Sequence, residues 1–168
     1  VVHVVHELDL GLLAALAASE LPMPGDFVTV QLAGVPLLIT RGADGVVRAL
    51  HNACAHRGAT VEPRPSGSAR VLSCGFHGWS YELDGSLRSV SDANQFSSAP
   101  CGRGLRTVGC EERHGLIWVT VDTTRGNPTV RRWLGDDLDD LFSSFGFSGF
   151  VAQRMVELSP LSQRLHKQ

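Results

Sequence analysis

Two short segments of this chain each place a cysteine and a histidine within four residues of each other. The first segment is Cys54-Ala55-His56, and the second begins after a gap of seventeen residues and runs from Cys74 to His77. Both segments follow predicted strands, so each is expected to form a turn. Two facing turns that carry two cysteines and two histidines predict a metal site, which requires a fold that holds the turns together.

The ligand types alone leave two metal groups open. Two thiolates and two imidazoles can bind one tetrahedral Zn²⁺, or a [2Fe–2S] cluster in which one iron takes both cysteines and the other takes both histidines. Zinc modules usually take their cysteines from one segment and their histidines from another. Each segment here supplies one of each, which favours the cluster. Glycines at Gly58, Gly75 and Gly78 would let backbone amides approach its sulfides.

The rest of the chain predicts a mainly β fold. Apolar and polar residues alternate over short segments, and Asp44-Gly45 and Asp84-Gly85 are hairpin signals between them. Strands do not alternate with helices, so the predicted architecture is an antiparallel β-sandwich or small barrel. The predicted strands are 27–32, 36–40, 46–50, 70–73, 79–83, 105–108 and 115–122.

Helices are predicted only towards the two ends of the chain. Leu8, Leu12 and Leu16 recur at every fourth position and predict a short N-terminal helix over 9–20. An amphipathic helix over 133–142 is predicted to turn an acidic face to solvent. That face comprises Asp136, Asp137, Asp139 and Asp140. Beyond this helical C-terminal extension, 150–158 is a candidate first strand of a further unit.

Composition excludes several functions. A formal net charge of −2 gives no basic footprint for nucleic acid. The longest apolar run, 10–18, is shorter than the roughly 20 residues of a membrane span, and no basic segment precedes it as in a signal peptide. We therefore expect a cytoplasmic protein with neither nucleic acid nor membrane as a partner. In that compartment Cys101 and Cys110 are expected to stay free thiols.

The two metal-binding segments resemble the Rieske iron–sulfur domain. The residues that carry the resemblance are Cys-x-His-Arg-Gly at 54–58 and Cys-x-x-His-Gly-Trp at 74–79. More narrowly, the chain resembles the N-terminal part of the α subunit of Rieske non-haem iron ring-hydroxylating oxygenases. Supporting stretches are 21–26, Asn52, 79–85 and 115–119. The similarity runs from about residue 8 to at least 125, and a ligand pattern with both flanks is more specific than most short motifs.

The resemblance implies a role for each ligand. Cys54 and Cys74 would bind the buried iron, while His56 and His77 would bind the outer iron and pass the electron at the surface. Neighbouring residues are assigned less specific roles. Arg57 would either add positive charge near the cluster or form a surface ion pair. Trp79 and Tyr81 would pack beneath the cluster.

Two departures separate the chain from respiratory Rieske proteins. Those proteins clamp their two cluster loops with a disulfide, but the corresponding positions here are Ala59 and Phe76, so the clamp cannot form. Trp79 stands where that family has a serine facing the cluster. Fewer hydrogen bonds to the cluster should lower its potential, which fits the oxygenase type.

No second metal site is predicted. The oxygenases carry out their chemistry at a mononuclear Fe(II) held by two histidines and a carboxylate in a C-terminal domain. The remaining histidines here are His3, His6, His51, His114 and His166. They do not form that pattern: Glu111 and His114 lack a second histidine, and His114 is predicted to be a turn residue. We therefore assign no catalytic residue and expect this chain alone to transfer electrons.

The resemblance divides the chain into three parts. These are an N-terminal helix and lead-in (1–24), the Rieske domain (25–126), and a linker with the start of a truncated catalytic domain (127–168). The start at Val1 and the end at Gln168 favour a piece of something longer.

In the parent oxygenase, the cluster would receive electrons from a ferredoxin or reductase. It would pass them to the mononuclear iron of a catalytic domain, in the same or a neighbouring subunit. That iron would use O₂ to hydroxylate an aromatic or similar apolar substrate. The alternatives are a free-standing Rieske ferredoxin, which needs little beyond the cluster domain, and a structural zinc module, whose usual ligand order differs.

Overall fold

A computed structural model describes residues 12–91, 102–121 and 126–147, in which ten strands and two helices form. The strands are β1 (Leu13–Ala17), β2 (Asp26–Leu32), β3 (Val35–Arg41), β4 (Val47–His51), β5 (Ser66–Ser68), β6 (Leu72–Ser73), β7 (Ser80–Tyr81), β8 (Leu87–Ser89), β9 (Thr107–Arg113) and β10 (Leu116–Thr120). The helices are α1 (Val130–Leu134) and α2 (Asp136–Phe145). The predicted mainly antiparallel β fold is confirmed.

The strands form one large and one small sheet. The order in the large sheet is β1-β10-β9-β4-β3-β2-β5, and that in the small sheet is β6-β7-β8. Every pairing between neighbouring strands is antiparallel. Two-residue loops join β2 to β3 and β9 to β10, and each has positive φ at both positions, as tight hairpins require. His114 lies in the second of these loops, which confirms it as a turn residue.

Strand β3 is buried on both faces, which explains its run of consecutive apolar residues. Leu37 and Ile39 point into the main core, together with residues of β2, β4 and β10. Leu38 points the other way, into a second core beside the small sheet. The hydroxyl of Thr40 donates to the carbonyl oxygen of Leu83 at 2.7 Å and so ties β3 to the segment between β7 and β8. The second core contains both Cys54 and Cys74, so the candidate metal site lies between the sheets.

The N-terminal helix predicted over 9–20 is wrong in the part of it that the structure describes. Leu13–Ala17 form strand β1 against β10, and only Ala18–Glu20 form a short 3₁₀ turn. Because of a bulge within β1, Leu12 and Leu16 point into different hydrophobic clusters of the core. Their four-residue spacing is therefore not that of a helix, since Leu16 lies in a bulged strand and Leu12 directly precedes it. Pairing with β10 outweighs the local preference for helix.

The C-terminal extension is helical, as predicted, but Gly135 divides it into α1 and α2. The prediction that the acidic face is exposed to solvent is wrong at one position. Asp139 is only 3% exposed, because α2 packs on the β9–β10 hairpin. Its carboxylate accepts hydrogen bonds from two nitrogens of the Arg113 guanidinium, and it lies 2.7 Å from Nε2 of His114. The guanidinium, more than the His114 ring, holds the pKa of Asp139 well below its usual range, against the opposing effect of burial.

Some predictions lie outside the described residues. These are the candidate strand over 150–158, the start of the predicted N-terminal helix, and the side chains of His3, His6, Cys101 and His166. Neither helix in the described part of the chain has the length and apolar character that a membrane span requires.

We expect Asp139→Asn to loosen the packing of α2 on the β9–β10 hairpin, because the amide cannot replace a carboxylate bound by Arg113. Amide hydrogen exchange in α2 should accelerate by roughly tenfold. The exposed acid Asp140 provides the matched control, and Asp140→Asn should leave exchange unchanged.

The pH dependence of this contact follows from the lowered pKa of Asp139. A carboxyl whose pKa is depressed in the folded state stabilises the fold at pH values above its ordinary pKa of about 4. This stabilisation is lost as the pH falls below that ordinary pKa. The wild-type helix should therefore stay protected through mildly acidic pH and loosen only below about 4. Equal protection of α2 in wild type and Asp139→Asn at neutral pH would contradict this role.

Candidate metal centre

The two predicted ligand segments form two similar turns. In the first turn, the N–H of Cys54 donates to the carbonyl of Ala59 at 2.7 Å, and the N–H of Gly58 donates to the carbonyl of Cys54 at 2.7 Å. In the second, the N–H of Cys74 donates to the carbonyl of Trp79 at 2.8 Å, and that of Gly78 donates to the carbonyl of Cys74 at 3.0 Å. We call these the ligand turns, 54–59 and 74–79.

Each ligand turn needs a glycine at its fifth position. Gly58 has φ +73° and Gly78 has φ +66°, a region that side chains with a Cβ rarely adopt. At Gly78 a Cβ would also lie 2.4 Å from Oγ of Ser91. Gly75 carries no such requirement, since a Cβ there would meet no other protein atom within 4 Å. Two of the three glycines singled out in the sequence therefore shape the backbone of the turns.

The ligand turns place sulfur inside and imidazole outside. Cys54 is 4% exposed and Cys74 is 3% exposed, and both belong to the core between the sheets. His56 and His77 are half-buried, and their ring centroids lie 4.6 Å apart. The four predicted ligands are thus brought together from the two turns, with the two rings beside each other.

Two buried aromatic residues, Trp79 at the end of the second turn and Tyr81 just after it, contact the first turn. Trp79 is buried, and its ring stacks on His56 at 5.0 Å between centroids and 6° between planes. The hydroxyl of Tyr81 lies 3.0 Å from Sγ of Cys54 and accepts the N–H of Ala55 at 3.1 Å. Because the hydroxyl oxygen already accepts from Ala55, its hydrogen is available to the sulfur. Burial first, and the hydrogen bond to Cys54 second, raise the pKa of Tyr81.

Asn52 closes the loop that carries the first turn. Its side-chain oxygen accepts the N–H groups of Val61 and Glu62 at 3.1 and 2.9 Å, and its amide donates to the carbonyl of Glu62 at 2.7 Å. The Glu62 carboxylate is in turn bound by Arg64. The sequence singles out Asn52 only for its position before Cys54 and does not predict that its side chain closes this loop. A polar side chain next to an apolar strand is common, and only its burial reveals the function.

Positive groups lie near His56. Burial lowers the pKa of His56 most, and the nearby His77, Arg57 and Arg103 lower it further. Arg57 is exposed, and no ion pair forms to it within the described residues. Arg103 was not predicted from the sequence, because it lies twenty-six residues beyond His77, the end of the nearest ligand segment.

The remaining candidate residues lie elsewhere in the fold. His51 ends β4, and its backbone N–H donates to the carbonyl of Arg106. Burial, together with the charge of Arg106, lowers the pKa of His51. Cys110 is a half-buried free thiol in β9 whose pKa is raised to about 12, mainly by burial and also by Glu112 and Glu111.

The donor set fits a two-iron cluster. A Rieske-type cluster spreads its ligands over two irons, with thiolates on one and imidazoles on the other. The separation into two buried thiols and two outer rings matches that division.

Comparison with known proteins is consistent with the geometry. Residues 12–107 match the family described as the Rieske [2Fe-2S] domain. The chain is 35% identical over 120 residues to the anthranilate 1,2-dioxygenase large subunit of Acinetobacter baylyi, covering 70% of this chain and 25% of that protein. It is 44% identical over 109 residues to the glycine betaine monooxygenase oxygenase subunit of Pseudomonas aeruginosa, covering 65% of this chain and 25% of that protein.

Solved structures agree. Naphthalene 1,2-dioxygenase with indole bound in its active site is similar with a TM-score of 0.67 and 31% identity, over 76% of this chain and 29% of that chain. The chain thus spans roughly a quarter to a third of the length of these relatives. With the family match extending over more than half of its residues, the chain belongs to the Rieske [2Fe-2S] domain family.

Proposed function

We propose that this chain is the Rieske electron-transfer domain of an oxygenase α subunit, with Cys54, His56, Cys74 and His77 as the cluster ligands. The observation that carries the proposal is the pair of ligand turns, which keeps two thiols in the core and two imidazoles beside each other at its edge. The relatedness to oxygenase large subunits supports the oxygenase assignment over a free-standing Rieske ferredoxin.

Different residues of this chain would bind the cluster and orient its ligands. When bound, a [2Fe–2S] cluster accepts and releases single electrons. Cys54 and Cys74 would hold it in a site from which the core excludes water. His56 and His77 would hold its outer side, nearest to a redox partner. Trp79 fixes the plane of the His56 ring by stacking on it, so that this ligand is oriented before it binds.

The wider activity is proposed for the parent protein. A ferredoxin or reductase would supply electrons, and a mononuclear iron in a catalytic domain of the same or a neighbouring subunit would receive them. We propose an aromatic or similar apolar substrate, because naphthalene and anthranilate dioxygenases are among the relatives. Glycine betaine monooxygenase is also among them, so the cluster domain by itself does not set the substrate.

Removal of one thiolate tests the ligand assignment. We expect Cys74→Ser to abolish the visible absorbance of the purified chain and to remove its iron and acid-labile sulfide, because a serine hydroxyl does not replace a thiolate. Cys110→Ser is the matched control, since Cys110 lies in β9 outside the ligand turns, and it should keep the normal spectrum. An unchanged spectrum and iron content in Cys74→Ser would disprove the assignment.

Removal of the Tyr81 hydroxyl tests the hydrogen bond to Cys54. We expect Tyr81→Phe to keep the cluster but to lower its midpoint potential, because a hydrogen bond to a ligand sulfur stabilises the more negative, reduced form. A loss of about 1 kcal/mol corresponds to about 40 mV for one electron. A redox titration followed by visible absorbance measures the shift.

Thr120→Val is the control for this measurement, because it removes a buried hydroxyl from β10, outside the ligand turns. Its midpoint potential should equal that of wild type. If Tyr81→Phe has an unchanged or higher potential, the hydroxyl does not donate to the sulfur.

A further inference from the structure

Large apolar side chains lie exposed on the two C-terminal helices. Leu138, Leu141 and Phe145 are spaced by three and four residues, so they form a stripe on one face of α2. Trp133 is exposed on the adjoining helix α1. We call these four side chains the helix patch. Each of them is between 46% and 57% exposed.

The helix patch is distinct from the face of α2 that packs on the β9–β10 hairpin. That packed face contains Asp139, bound by Arg113, and Phe142, whose ring centroid lies 5.6 Å from that of Trp118. The helix patch exposes roughly 400 Å² of apolar area, at about 200 Å² for a complete large side chain. An exposed apolar area of this size usually marks a contact with another protein. The two helices thus carry a second face that the described part of the chain leaves open.

The charges that accompany the helix patch differ between the two helices. Helix α1 carries Arg131 and Arg132, whereas α2 carries Asp137 and Asp140, and all four are exposed. Arg131 pairs with Asp136. Within the described residues, Arg132, Asp137 and Asp140 form no ion pair. The same surface therefore has a basic end with an unpaired guanidinium and an acidic end with two unpaired carboxylates.

We infer that the helix patch is the contact face between two copies of this chain, paired about a two-fold axis with α1 of each copy against α2 of the other. A surface that is basic at one end and acidic at the other is complementary to itself after a rotation of 180°. Trp133 of each copy covers the stripe of the other, and Arg132 of each copy meets Asp137 and Asp140 of the other. A partner with charge of a single sign would match only half of this surface.

The size of the helix patch sets the expected strength of the pairing. Two copies bury roughly 800 Å² of apolar surface between them. The charged residues around it raise the total towards the roughly 1,200 Å² of the smallest stable interfaces. We therefore expect a reversible dimer with a dissociation constant of about 10 µM. None of these residues lies in a ligand turn, so the inference does not depend on the proposed function.

Sedimentation velocity of the full chain, at concentrations from about 1 to about 200 µM, measures the pairing. The expected result is a sedimentation coefficient that rises from that of a monomer to that of a dimer. Leu138→Ser combined with Leu141→Ser should weaken the association at least about tenfold, because the apolar centre of the contact is lost. Met23→Ser is the matched control, since Met23 is exposed on the loop before β2, and it should keep the wild-type dissociation constant.

An exchange of charges tests the two-fold arrangement itself. Arg132→Glu should weaken self-association by about tenfold, because it places like charges against the acidic end of the other copy. Asp137→Arg combined with Asp140→Arg should do the same at the basic end. An equal mixture of these two variants should pair as tightly as wild type, because each supplies the charge that the other now requires. Arg70→Glu changes an exposed charge between β5 and β6 and should associate like wild type.

Three outcomes would overturn the inference. The first is a chain that stays monomeric at about 200 µM, since no second copy then covers the helix patch. The second is a dimer that the leucine substitutions do not weaken, since the contact face then lies elsewhere. The third is a mixture of the two charge variants that associates no better than either variant alone, since α1 and α2 of different copies then do not face each other.

Discussion

The hydrogen bonds that close the two ligand turns are the constraint on which the rest of the site depends. In each turn the cysteine N–H and carbonyl are both used within the turn, which fixes the cysteine at its base. The positive φ of Gly58 and Gly78 then reverses the chain, so that each histidine stands on the outer side of its turn. The same backbone geometry thus directs the sulfur inward and the imidazole outward in both turns. This holds although the histidine follows its cysteine by two positions in the first turn and by three in the second.

The scaffold around the turns replaces a covalent clamp by several non-covalent contacts. Ala59 and Phe76 exclude the disulfide of respiratory Rieske proteins. Tyr81 instead reaches from β7 to Cys54 and Ala55 of the first turn, while Asn52 closes the loop that carries this turn. Hydrogen bonds that satisfy buried groups are costly to break singly, because each loss leaves a partner unsatisfied. The contacts that hold the turns are therefore placed where water cannot compete for them.

Short-range patterns in the sequence predict much of this arrangement. The ligand spacing indicates the two turns, and the hairpin signals indicate the antiparallel sheets. The errors come where long-range contacts decide. Leu12 and Leu16 have helical spacing, but Leu16 lies in the bulged strand β1 and Leu12 directly precedes it, because β10 offers an edge to pair with. Asp139 belongs to an acidic run but is buried, because Arg113 lies on a hairpin twenty-six residues away.

The central claim is that the ligand turns hold a cluster with two chemically different irons. Mössbauer spectroscopy of the chain loaded with ⁵⁷Fe and reduced by one electron tests this most directly. The account predicts two distinct iron signals of equal intensity, one from an iron with sulfur ligands only and one from an iron with two imidazoles. A single type of iron site, or a colourless chain that holds stoichiometric zinc, would contradict it.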